Sequence, residues 1–106
     1  MSVKDEMTKI AERLIKEVCS IDKPEDAEEL VDGALGIGRK QDLVDGEWVT
    51  NEYELLMTFG GPNTYLRVND IGLVTVSVYW GSKKYETFKK CYGAQLLFEY
   101  LKDVLG

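Results

Sequence analysis

Apolar residues recur on a 3.6-residue period at the front of the chain. Val3, Met7, Ile10, Ala11, Leu14, Ile15 and Val18 fall on one stripe, with Lys4, Asp5, Glu12, Arg13, Lys16 and Glu17 opposite. That spacing predicts an amphipathic helix over residues 2–20 with its apolar side toward a core. Residues 20–24 break it, and a second helix is expected over 24–35, with Ala27, Leu30, Val31, Ala34 and Leu35 inward. Proline is tolerated in the first turn of a helix, and Ser20 or Asp22 is the expected cap. Gly36 and Gly38 are expected to end this helix and to form a turn.

The period then changes to two. Asp45-Gly46 supplies the positive φ that a two-residue hairpin turn needs, predicting an edge strand over 39–44 and a longer partner over 47–59. In the partner, Tyr53, Leu55, Met57 and Phe59 alternate with Glu52, Glu54, Leu56 and Thr58, as in a half-buried strand. A Gly60-Gly61-Pro62-Asn63 turn leads to a strand over 64–68, and a turn at 69–72 leads to another over 73–80. There Val74, Val76, Val78 and Trp80 share one face, and Leu73, Thr75, Ser77 and Tyr79 the other. Helical spacing returns over 84–105, through Phe88, Cys91, Tyr92, Gln95, Phe98, Leu101 and Leu105. Gly93 inside that segment marks a close helix–sheet contact. The expected fold is one α+β domain over 1–106, α-α-β-β-β-β-α. Its antiparallel sheet has three to four strands, with the N-terminal and C-terminal helices on one face.

Composition narrows the function. Hydrophobic content of 44% and charged content of 30% exclude a disordered chain. No apolar run approaches the roughly 20 residues that span a bilayer, so no membrane partner is expected. The opening MSVKDEMTKI lacks the apolar core of a secretory leader. The expected address is therefore cytoplasmic, and Cys19 and Cys91 are expected as reduced thiols. The net charge is −6, concentrated in the first half of the chain, while residues 83–106 carry a slight positive excess. Direct nucleic-acid binding needs the opposite sign. An acidic front suits a partner protein with a basic surface.

Chemistry is sparse. The chain has no histidine, which removes Ser-His and Cys-His mechanisms and the commonest zinc ligand. The glycine motifs lack the partners of a phosphate-binding loop. Glu52 and Glu54 share a strand face, and Asp42, Asp45 and Glu47 surround the hairpin, as is routine for solvated carboxylates. No catalytic, cofactor or metal-binding residue is therefore assigned. Tyr65, Tyr79, Trp80 and Tyr85 stand near Lys83, Lys84, Lys89 and Lys90, a patch able to anchor a protein or stack on bases.

The strand at 53–59 entering Gly60-Gly61-Pro62-Asn63, followed by Tyr79-Trp80-Gly81, resembles small uncharacterised proteins of phages and mobile elements. Those proteins share a GGP turn and a Trp-Gly strand end. The resemblance covers about a third of the chain. It implies a compact helix-plus-sheet fold and, by analogy with anti-CRISPR proteins, an inhibitor that blocks a basic channel of a nucleic-acid-handling enzyme. The leading expectation is a non-enzymatic acidic binding module using Asp22, Glu25, Asp26, Glu28, Glu29, Asp32, Glu52 and Glu54. A homodimer is the second reading, joined through the outer sheet face (Leu56, Tyr65, Leu73, Tyr79) or the edge strand. An enzyme using paired carboxylates and a metal ranks last.

Overall fold

Alternating burial in the middle of the chain closes into one antiparallel sheet, and the two amphipathic ends cover one side of it. The computed structural model describes residues 2–105. The order is α1 (Val3–Cys19), α2 (Pro24–Asp32), β1 (Gly36–Val44), β2 (Glu47–Thr58), β3 (Asn63–Asn69), β4 (Leu73–Trp80), β5 (Lys83–Lys90) and α3 (Tyr92–Leu105). The five strands form a meander, each beside its sequence neighbours. The α+β class is as expected, with five strands rather than three or four.

One sheet face supplies Tyr53, Leu55, Leu66, Val68, Val74, Val76 and Val78, all fully buried. Against them pack Met7, Ala11, Leu14 and Val18 of α1 and Ala94, Leu97, Phe98 and Leu101 of α3. Each buried Val, Leu, Met or Phe side chain among them contributes about 1.5–3 kcal/mol by leaving water. α1 lies over β4 and β5, and α3 over β2 and β3. The opposite face is uncovered and carries Glu54, Tyr65, Arg67, Ser77 and Glu86 at paired positions.

The fifth strand replaces the first third of the expected C-terminal helix. Gly81 has φ 63°, the geometry of a Gly-first two-residue turn, and Trp80 pairs with Lys83 across it. Tyr85 and Thr87 then face the helices, while Glu86 and Phe88 face out. The helical spacing through Phe88 and Tyr92 was coincidental, since both are 69% exposed. The first hairpin follows expectation, with Asp45 at φ 50° and Gly46 at φ 81°.

Other expectations are corrected. β1 begins at Gly36, so Gly36 and Gly38 are strand residues, and Gly33 caps α2 at its C-terminus. The N-cap of α2 is Lys23, without a side-chain bond, rather than Ser20 or Asp22. Phe59 lies past the end of β2 and is exposed. Cys19 and Cys91 form a disulfide, with Cα atoms 5.7 Å apart, and are not free thiols. Gly93 marks a helix–helix contact instead of a helix–sheet one, because its missing β-carbon makes room for Val18 and Cys19 of α1.

Candidate protein-binding surface

α2 is short, and its composition makes it a charged ridge. Ala27 is buried, Leu30 and Val31 are half-buried, and Glu25, Glu28, Glu29 and Asp32 are exposed. The turn at residues 20–23 buries Ile21 and leads into α2, which packs against α3. Pro24 then starts the new helix at its first position. Asp26 sits in the first turn, where a carboxylate favours the positive end of the helix dipole. Its Oδ2 accepts a hydrogen bond from the Asp22 backbone N–H at 3.4 Å. Hydrogen bonding to the Asp22 side chain and then to its backbone N–H, aided by Lys23, holds the Asp26 carboxyl below the usual carboxylate range.

A groove of about 600 Å³ lies between α1 and α2. Ile21, Leu30 and Met57 supply apolar lining, and Arg13, Lys16, Asp26 and Glu29 supply charge. Among the described residues, no carboxylate of α2 forms an ion pair; the ion pairs there, Arg67–Glu86 and Lys84–Glu86, lie on the sheet. The field of α2 reaches α3: the Tyr100 phenol is pushed up by burial first, and then by Glu28 and Asp32.

Of the eight residues expected to bind a partner, the structure brings together Asp22, Glu25, Asp26, Glu28, Glu29 and Asp32. Glu52 and Glu54 lie apart on the uncovered sheet face. Glu52 stands opposite Lys40 and Asn69, and Glu54 opposite Gly38 and Arg67. The groove residues Arg13, Lys16, Leu30 and Met57 were missed by sequence reasoning, which had no means of placing β2 beneath the α1–α2 turn.

The uncovered face holds a second concavity of about 480 Å³, lined by Glu54, Asn63, Tyr65, Arg67, Ser77 and Tyr79. Arg67 Nη2 donates to Ser77 Oγ and to Glu86 Oε2, each at 2.8 Å, and Ser77 Oγ donates to Glu86 Oε2 at 2.5 Å. The Ser77 bond above all, then Arg67 and Lys84, lowers the Glu86 carboxyl from its ordinary value. Tyr65 and Tyr79 meet edge to face at 5.9 Å, and Lys84 lies over the Tyr79 ring. The aromatic–lysine patch read from sequence is thus divided, because Trp80 and Tyr85 pack against the core on the helix side. Arg67 and Ser77 of this concavity are already engaged by Glu86, which leaves α2 and its groove as the stronger binding surface.

Among the described residues, no three His, Cys, Asp or Glu side chains converge as metal ligands, and no helix is long and apolar enough to cross a membrane. Comparison with protein-family models, curated proteins and solved structures finds no match to this chain.

Proposed function

We propose that this chain is a non-enzymatic protein-binding module that lays the acidic ridge of α2 and the adjoining groove onto a basic site of a nucleic-acid-handling enzyme. One observation carries the reading: five carboxylates on a nine-residue helix, none of them in an ion pair among the described residues, border a groove whose apolar lining is Ile21, Leu30 and Met57. Interfaces are commonly built this way, with apolar area at the centre and charge around it. Like-signed carboxylates spaced along a helix mimic the phosphates that a basic channel ordinarily holds, and they steer the encounter at long range. The absence of histidine and the resemblance to mobile-element proteins support an inhibitor in preference to a catalyst. The proposed setting is the cytoplasm, where the target works; disulfides are uncommon there, so the Cys19–Cys91 bridge is the feature of the structure that argues against that address.

The test is affinity capture of partners with the wild-type protein, followed by titration of each captured enzyme against increasing salt. Reversal of Glu25, Asp26, Glu28 and Glu29 to lysine should abolish binding to the specific partner, and wild-type binding should weaken steeply with salt. Equal affinity and equal salt dependence for the reversed variant would remove α2 from the interface.

A further inference from the structure

A meander leaves two free edges, and here they differ in kind. β5 carries Lys83, Lys84, Lys89 and Lys90, the like-charged protection that natural sheets place on edges. β1 carries charges of both signs instead of a like-charged row, and the register of its pairing with β2 shifts between Lys40 and Gln41. It runs nine residues without proline, with Arg39 and Lys40 on one side of Gln41 and Asp42 on the other. The helices lie over β2–β5, and β1 is tied to them through Arg39 Nη1, which donates to the Leu105 carbonyl at 3.4 Å.

The hairpin also outruns the rest of the sheet. β3 pairs with β2 from Glu52 onward, so residues 41–50 form a two-stranded ribbon beyond it. A ribbon of that kind is marginal in water by itself. This one exposes Leu43 (61%) and Trp48 (67%), which stand directly opposite each other across the two strands.

We propose that two copies of this chain associate through β1, antiparallel about a two-fold axis at Gln41, into one continuous sheet. An axis normal to the sheet matches residues of equal parity, so each face continues as the same face. Gln41 then opposes itself, and Lys40 of each copy opposes Asp42 of the other, giving two opposite-charge pairs on the uncovered face. On the helix face, Leu43 is enclosed between Trp48 of its own chain and the Arg39 methylenes of the second copy. The arrangement is isologous and closes at two subunits. It leaves α2 free in both, so it stands or falls independently of the proposed function.

Sedimentation equilibrium over a micromolar dilution series should show a species of twice the 12.0 kDa chain mass, with Trp48 increasingly shielded from acrylamide as it forms. Lys40→Asp places like charges opposite each other twice and should weaken the dimer about tenfold or more, and adding Asp42→Lys should restore it. Gln41→Cys, which adds a thiol to a chain whose own cysteines are bridged, should cross-link two copies on mild oxidation; it decides the matter if the charge variants fail to fold. A wild-type monomer at every concentration, a dimer indifferent to the single reversal, or a dimer that Gln41→Cys does not cross-link would overturn the proposal. In the last two cases association is through another surface; a monomer whose β1 captures a foreign strand would point to augmentation by a partner.

Discussion

Replacing Gly93 with alanine sets two magnitudes against each other. Gly93 is the second residue of α3, and alanine in a helix is favoured over glycine by at most about 1 kcal/mol, less in a first turn. The opposing effect is steric. A β-carbon at this position would lie 3.0 Å from Cys19 Cα and from the Val18 carbonyl carbon, and closer still to the Val18 oxygen. Ordinary carbon contacts lie at about 3.5–4.0 Å, and the Val18 oxygen is the limiting neighbour, so the two helix ends must part by about an ångström or more. Neither end yields easily: the Val18 carbonyl accepts the Ile21 N–H at 3.1 Å, and the disulfide clamps the neighbouring residues Cys19 and Cys91. Overpacking of this type costs about 1–3 kcal/mol. The net expectation is a loss of about 1–2 kcal/mol, or a melting point lower by roughly 4–10 °C for a domain of this size. The assay is thermal and urea unfolding of Gly93→Ala in the bridged form and in a Cys19→Ser/Cys91→Ser background. The cost should be smaller where the bridge no longer holds the helices together. An unchanged or higher melting point in the bridged protein would refute the reasoning.

Two further outcomes follow from groups already described. Glu86→Gln should be less stable than wild type near neutral pH. Because the folded-state pKa of Glu86 lies below its unfolded value, its contribution is present above the unfolded value and fades as pH falls through the folded one. The gap measured by urea unfolding should therefore narrow from about pH 7 toward about pH 3, and a constant gap would contradict the Ser77–Glu86–Arg67 network. Tyr53→Phe removes a buried hydroxyl that, among the described residues, meets no hydrogen-bond partner. It should leave stability unchanged or raise it by about 1–2 kcal/mol, and a comparable loss in urea unfolding would show that the hydroxyl is bonded.

Local periodicity made much of this fold legible. The α1 stripe, the alternation through Tyr53 and Leu55, the valines of β4 and the Asp45-Gly46 turn are each settled by neighbours in sequence. β5 was not read correctly, because Phe88, Cys91 and Tyr92 happen to lie at helical spacing. The Gly81-Ser82 dipeptide, a recognised hairpin signal, was the clue that should have outweighed it. The α2 acids were visible as a cluster, but the groove beside them depends on Met57 passing under the α1–α2 turn. Likewise, the separation of Glu52 and Glu54 from that cluster follows from which sheet face the helices cover. Pairings such as Ser77 with Glu86 depend on register between strands, which no single stretch of residues encodes.

The bond between Cys19 and Cys91 also decides how the molecule would respond to tension. Its half-cystines are 72 positions apart, and between them lie α2 and the whole sheet. A pull applied outside the bridge is carried across the sulfurs and peels only α1 and α3, while the strands bear none of the load. Cutting the bond would release roughly 240 Å of hidden chain length at about 3.4 Å per residue, so oxidation alone sets how far this protein can be stretched.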